Sequence, residues 1–298
     1  MLKTQPMHNN SILFLVNQKA GKGLPNHFEV TLKSIIDQAK VRYELAYSKH
    51  ADHFTELAKN GIKKGFNKIV VVGGDGSINE VFRQLVGTKV KLGVLPFGSG
   101  NGLARHLKIP LDLPKALQVI LNGNTKQIDS GRIYKIPFLS IAGTGFDARI
   151  ARDFEQSKSR GFNSYFRLVL KHFFNYKSET YHLEIDDRKL TQKAFMINFA
   201  NSNQFGYDFQ IAPQAVIDDG FIDICILTKP PLFMIPFTAL KFIRKRIHSS
   251  KYYQSFKAKK IKLKGNSELP VNIDGEYHQS TSEITIEVLP KSIEIIVP

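Results

Sequence analysis

Ile69-Val70-Val71-Val72-Gly73-Gly74-Asp75-Gly76-Ser77, running straight into Ile78-Asn79-Glu80-Val81-Phe82, is the stretch on which the reading of this chain turns. Four β-branched residues in a row read as a buried strand, and the glycines read as a tight turn around one carboxylate. Ile78, Val81, Phe82, Leu85 and Val86 recur at i, i+3, i+4, i+7 and i+8, one face of a helix. The glycines let backbone approach a ligand closely and take positive φ. The helix N-terminus behind them offers unpaired N–H groups and the positive end of a dipole. A phosphate suits that place, and Asp75 can reach a metal-bound nucleotide or a reacting hydroxyl from it.

Two more glycine loops follow apolar strands. Ile12–Val16 ends in Asn17-Gln18-Lys19-Ala20-Gly21-Lys22-Gly23, and Lys91–Pro96 runs into Phe97-Gly98-Ser99-Gly100-Asn101-Gly102. Neither is a P-loop or a complete Gly-x-Gly-x-x-Gly, and each taken singly reads as a plain βα turn. Helices over Asn26–Gln38, Ala51–Gly61 and Ser77–Val86 and a strand over Tyr43–Tyr47 complete the series. Strand–loop–helix units in series predict a parallel sheet with ligands at the carboxyl ends of its strands. Loops 17–23, 73–77 and 97–102 then converge on one edge.

From about Asp129 the texture changes to short alternating runs: Tyr181–Ile185, Ala194–Phe199, Phe221–Leu227, Lys260–Leu263, Leu269–Ile273, Glu283–Val288 and Ser292–Val297. These predict a largely antiparallel second domain, interrupted by helices over Asn163–Tyr176 and from Leu232 to about His248. No flexible linker or repeat is visible.

Forty-two Lys and Arg against 26 Asp and Glu leave the 298-residue chain at +16. Such a balance implies an anionic partner, or else a generally solubilising surface. The single cysteine, Cys225, excludes an internal disulfide and a cysteine-based metal cluster. No run approaches the 18 or so apolar residues of a membrane span and no leader pattern is seen, so the expectation is a cytoplasmic protein with at most peripheral membrane contact.

Three other segments carry chemistry. Asp274-Gly275-Glu276 sits in a turn, and two carboxylates flanking a glycine could accept a proton from a hydroxyl, although Asp-Gly is also the commonest hairpin turn. Asp218, Asp219 and Asp223 form an oxygen-rich turn able to hold Mg²⁺ or simply to be solvated. Segment 232–264 sets Leu232, Phe233, Phe237, Leu240 and Ile243 beside Arg244, Lys245, Arg246 and the six lysines that follow them. That mixture suits an interfacial segment on anionic lipid, against a core helix with a solvated face or, without any supporting motif, nucleic acid. His50 and His53 have metal-like spacing but no third ligand.

Taken together, Gly73-Gly74-Asp75-Gly76-Ser77-Ile78-Asn79-Glu80-Val81, Leu95-Pro96-Phe97-Gly98-Ser99-Gly100-Asn101, the opening Asn17–Gly23 loop, Asp218-Asp219-Gly220 and Asp274-Gly275-Glu276 resemble the diacylglycerol kinase/sphingosine kinase-like lipid kinases nearly end to end. Gln18 replaces the family's proline and Ser77 its threonine. Gly-Ser-Gly-Asn-Gly at 98–102 is closer to the sphingosine-kinase form than to Gly-Thr-Ala-Asn-Asp, which leaves the acceptor lipid open.

The resemblance implies an α/β nucleotide domain, related to NAD kinase and phosphofructokinase, over residues 1–128. It further implies a mainly antiparallel β-sandwich over 129–289 that forms the lipid site, with the last strand, 290–298, returning to the first domain. It implies ATP and Mg²⁺ as cofactors. Asn17, Gly21, Gly23, Gly73, Gly74, Asp75, Gly76, Ser77, Ile78, Asn79, Gly98, Ser99 and Asn101 would form the nucleotide site, with Ser48 more loosely aligned. Glu276 would be the proton acceptor with Asp274 supporting or sharing the role, and Asp75 would serve the catalytic metal. Asp219, with carbonyls near Val216 and Phe221, would bind a structural Mg²⁺.

The partners expected are a lipid substrate and an anionic membrane surface met by 232–264. No nucleic acid is expected, and a homodimer is left open. Rival readings are a soluble-substrate kinase of the NAD-kinase type and a non-catalytic lipid-binding module.

Overall fold

The computed structural model describes residues 11–21, 23–50, 52–157, 161–205 and 209–298. Lys22 of the first glycine loop and Ala51, expected to open a helix, lie outside them. The chain divides into two compact units, one running to Ile128 and including Ser292–Pro298, the other Asp129–Lys291.

In the first unit β1 (Ser11–Val16), α1 (Phe28–Ala39), β2 (Arg42–Tyr47), α2 (His53–Lys63), β3 (Lys68–Gly73), α3 (Asp75–Leu85), β4 (Lys91–Pro96), α4 (Gly102–His106) and α5 (Leu113–Asn122) follow one another. The strands pair in the order β2-β1-β3-β4, all parallel, and Glu294 and Ile295 add a parallel partner to Lys91 and Leu92. Both faces are covered, which is why β1, β3 and β4 are apolar without alternation. On one face Phe14, Val16, Val70 and Val72 pack with Leu32 and Ile36 of α1 and Leu117 and Ile120 of α5. On the other, Gly61 of α2 comes directly against Leu13 and Ile69. Asp112 caps α5 by accepting from Lys115 N at 3.1 Å, worth about 1 kcal/mol.

The second unit holds the end of β5 (Asn124–Ile133), then β6 (Ile136–Phe138), β7 (Ile141–Gly145), α6 (Phe146–Glu155), α7 (Phe162–Phe173), β8 (Glu179–Ile185), β9 (Arg188–Ala194), β10 (Met196–Ala200), β11 (Ile222–Leu227), α8 (Ile235–Ile243), β12 (Tyr253–Ala258), β13 (Lys260–Gly265), β14 (Pro270–Ile273), β15 (Glu276–Gln279) and most of β16 (Glu283–Val297). One antiparallel sheet runs β12-β11-β10-β7-β14-β15, and β16, β13, β8 and β9 form another. Leu183, Ile261, Leu263, Ile284 and Ile286 of the latter meet Ile197, Phe199, Ile224, Val271 and Ile273 of the former in a shared core. The unit is a β-sandwich. Helices cover the outer face of the six-stranded sheet, where Phe146 and Ile150 of α6 and Leu168 and Val169 of α7 pack on Phe195, Cys225 and Leu227.

Three expectations need correction. Helix α6 was not expected, because Gly145-Phe146-Asp147 reads as the end of a strand until the chain turns there at Gly145, φ 83°. The helix expected over 232–248 is broken into α8 and two single 3₁₀ turns, Leu232–Met234 and Ile247–Ser249, with Lys245 left-handed at φ 57°. The two strands expected at 283–288 and 292–297 are one. Pro290 lacks an N–H and Lys291 sits at φ 47°, a kink the strand survives because Asp129 Oδ1 accepts the Lys291 N–H at 2.7 Å.

Candidate active site

The three glycine loops of the first unit converge as expected. Asn17 follows β1 and donates its N–H to Val72 O at 2.9 Å, while its Nδ2 donates to Ser77 Oγ at 3.1 Å. Phe97 N donates to Gly73 O at 2.9 Å, and a Cβ on Gly74 would stand 2.9 Å from Gly98 Cα. Gly21 backs onto the Phe97 carbonyl in the same way. Ser48 follows β2 at the same edge, its N–H on Val16 O at 2.9 Å.

The physical reason for glycine at 73–76 differs from the expected one. None of Gly73, Gly74 or Gly76 has positive φ; what excludes a side chain at 74 is backbone against backbone. Helix α3 begins at Asp75, two residues earlier than expected, and its N-cap Gly74 supplies no side-chain cap. Its first N–H groups therefore point outward without an intrahelical partner.

Asp75 is half-buried, and its Oδ1 accepts from Leu103 N at 3.5 Å. Burial pushes its carboxyl above the usual range, and main-chain N–H groups of Gly102, Leu103 and Asn101 pull it back. The carboxylate thus ties the second glycine loop to the third. Two expected nucleotide contacts face elsewhere: the Ile78 side chain is in the core with its N–H on Gly74 O at 3.0 Å, and Asn101 Nδ2 is spent on Gly98 O at 2.8 Å. Asn79 is likewise buried.

In the second unit Asp274 and Gly275, at φ 52° and 93°, form the two-residue turn between β14 and β15. Positive φ at both central residues is the type I′ geometry that matches strand twist. The turn puts Glu276 opposite Ile273. Asp274 Oδ2 accepts from Leu139 N at 2.7 Å and its Oδ1 from Ser140 N and Ile141 N at 2.8 and 3.0 Å. Its lone pairs are committed to holding the turn. Glu276 keeps 37% of its side chain exposed, with His278 Nε2 3.7 Å away on the same face of β15. Sequence reasoning did not find Asp147, whose buried Oδ2 accepts from Asn272 Nδ2 at 2.9 Å. No spacing in the sequence links the two.

Asp219 does not stand as a free metal ligand. Its Oδ1 accepts from Phe221 N at 3.1 Å, its Oδ2 pairs with Lys257, and that ammonium is also 3.4 Å from Asp223. Val216 is exposed, and no cluster of three or more His, Cys, Asp or Glu able to hold a metal occurs among the described residues. A lysine already neutralises the carboxylate, so the arrangement does not fit a structural Mg²⁺. Millimolar Mg²⁺ without nucleotide is expected to move the Tm by less than about 1 °C, since a site bound well above its Kd adds a few kcal/mol. A rise of several degrees would return Asp219 to that role. Asp75 differs: a half-buried carboxylate oxygen is the kind of ligand Mg²⁺ takes alongside phosphates, and the N–H groups beside it suit the phosphates themselves.

Residues 11–133 match the model of the diacylglycerol kinase catalytic domain, and residues 140–297 that of the YegS C-terminal NAD kinase beta sandwich-like domain. A Shewanella frigidimarina protein named "Probable lipid kinase YegS-like" is 28% identical over 80% of this chain and 78% of its own length. A Bacillus subtilis protein named diacylglycerol kinase is 28% identical over 75% of each. The crystal structure of a diacylglycerol kinase from Bacillus anthracis superposes with a TM-score of 0.75 at 19% identity, covering 97% of both chains, a likeness of fold. With both halves matched in order and the glycine loops assembled at one sheet edge, the chain carries a diacylglycerol kinase catalytic domain over residues 11–133, belongs over residues 140–297 to the YegS C-terminal domain family, and is a lipid kinase, an enzyme class that uses ATP.

Proposed function

We propose that the protein transfers the terminal phosphate of ATP to the hydroxyl of a diacylglycerol- or sphingoid-type lipid at an anionic membrane surface. The observation that carries the chemistry is the unequal state of the two carboxylates at 274 and 276. Asp274 is held by three main-chain N–H groups, while Glu276 is half-exposed beside His278. Glu276 is the base: its carboxylate takes the proton of the lipid hydroxyl as the oxygen attacks the phosphorus, and Asp274 holds the turn that presents it.

On the nucleotide side, the open N–H groups at the start of α3 and the loops around Asn17, Ser48 and Ser99 hold the phosphates. Asp75 would hold Mg²⁺ together with phosphate oxygens, and the bound ion supplies neutralisation of charge on the transferring group. Labelled ATP incubated with a total lipid extract in vesicles tests the reading. A phosphorylated lipid is the expected product; ATP consumed only with a soluble acceptor favours the NAD-kinase-type rival, and no consumption with any lipid favours a binding module.

The membrane part rests on exposure. Phe233 is 74% exposed, Phe237 61% and Ile243 69%, beside exposed Arg244 and Arg246. On α7 and at its C-cap, Phe166, Leu170 and Phe174 recur every four residues and are all exposed. Apolar bulk rimmed by cations is what anionic lipid attracts. Lys260 and Lys262 of segment 232–264 do not share in it, because they project from β13 onto Glu287 and Glu184 at 3.0 and 3.5 Å. Replacing both Phe233 and Phe237 with alanine is expected to weaken binding to anionic vesicles about 30-fold, each ring contributing about 1 kcal/mol. Unchanged sedimentation with vesicles would remove this surface from the proposal.

A further inference from the structure

Asn198, Gly143 and Asn272 stand side by side across three adjacent strands. Asn198 of β10 is paired with Gly143 of β7, and Asn272 of β14 is paired with the same glycine. The middle position carries no side chain, and none would fit: a Cβ there would lie 2.6 Å from Asp147 Oδ2 and collide with Asn198 Nδ2. Into that gap the first turn of α6 sends the carboxylate of Asp147. Its Oδ2 accepts from Asn198 Nδ2 and from Asn272 Nδ2, each at 2.9 Å, and all three side chains are buried.

The direction of these bonds has a consequence for the turn. A carboxylate can only accept. It therefore draws the NH₂ of Asn272 toward itself and leaves Asn272 Oδ1 facing the other way, where it accepts from Gly275 N at 2.8 Å. Gly275 is the second central residue of the turn, and Glu276 comes next. Without the carboxylate, the amide is free to rotate and set its own NH₂ against the Gly275 N–H, donor against donor.

We propose that Asp147 is a positioning residue for the transfer step: through Asn272 it locks the Asp274–Gly275 turn and so holds Glu276 at the angle from which it takes the proton. This inference rests on Glu276 being the base. Burial pushes the Asp147 carboxyl up to about 6, and its two amide bonds pull the other way, so at neutral pH it is largely ionised. The N-terminal end of α6 further favours the charge. An apolar side chain there would leave the two buried amide donors without an acceptor, so the carboxylate is accounted for by the amides it orients.

The test uses the full chain on lipid vesicles, with kcat, the KM for ATP and the folded fraction measured together. Asp147→Ala is expected to lower kcat about 30-fold per folded molecule with the ATP KM unchanged, the size of effect a misplaced catalytic group produces. Asp147→Asn is expected to recover kcat to within about threefold, because a carboxamide oxygen still accepts both amide donors. If Asp147→Ala does not fold, Asn272→Ser carries the same expectation, since it removes both bonds made by the amide. In a Glu276→Gln background, Asp147→Ala should cause no further loss. A fall in kcat that only tracks the unfolded fraction, a parallel rise in the ATP KM, or an equal further loss in the Glu276→Gln background overturns the positioning role alone. If Glu276→Gln by itself keeps the wild-type rate, the base assignment fails and the inference falls with it.

Discussion

Glu276→Gln is expected to lower kcat by about three orders of magnitude while leaving the ATP KM within twofold or so, the range for loss of a general base. The amide is isosteric and the side chain is half-exposed, so the Tm should stay within about 1 °C of wild type. Asp274→Asn is the informative contrast. An amide placed among the N–H groups of Leu139, Ser140 and Ile141 keeps at most one accepting oxygen and turns its NH₂ on the rest. Each main-chain donor left buried without an acceptor costs about 1–3 kcal/mol, so this variant should lose several degrees of Tm and activity together. The assignment of roles fails if Glu276→Gln stays within tenfold of wild type, or if Asp274→Asn is inactive yet as stable as the parent.

The second large effect concerns the glycine loops. A Cβ on Gly98 would lie 2.5 Å from Gly74 Cα, and one on Gly74 would lie 2.9 Å from Gly98 Cα. Neither neighbour is a flexible side chain, so the loops themselves must separate. Gly98→Ala should raise the ATP KM more than about tenfold and destabilise the protein by about 1–3 kcal/mol, the cost of overpacking a tight contact. Gly76→Ala is the control, because nothing lies within 4 Å of its Cβ and its φ is not positive. There the fold should hold or gain slightly from better helix propensity. Any loss of ATP binding in Gly76→Ala then reports the approach of the ligand and not the packing of the loops. An unchanged ATP KM in Gly98→Ala would mean that this contact does not shape the nucleotide site.

The first unit was legible because its signals are local. An apolar run ending in glycine and followed by 3.6-residue periodicity marks each βα step, and three such steps fix where the loops meet. Helix α5 was passed over there, and what was misjudged, positive φ at Gly73–Gly76, concerns a contact between residues 24 apart that no window of sequence contains. The second unit was legible in class only. Helix α6 hid behind a strand-like start, and Pro290 made one strand look like two because the Asp129 carboxylate that accepts from Lys291 lies 162 positions away. At the candidate site, Asp274 and Glu276 were visible as a pair of carboxylates. Their division of labour was not, since it depends on N–H groups 133 to 135 residues distant. The same applies to Asp219, whose lysine partner comes from another strand.

Strand β16 also bears on how the protein is made. The first unit is synthesised almost wholly before the second, yet the strand that flanks β4 comes from residues 292–298. A ribosome therefore releases residues 11–128 as a sheet one strand short, with β4 presenting an open edge while the sandwich is being translated. Pairing across roughly two hundred residues must wait for the last of these residues, which makes this a slow closing step. Nascent chains halted before residue 292 should be more readily digested within 91–122 than the finished protein.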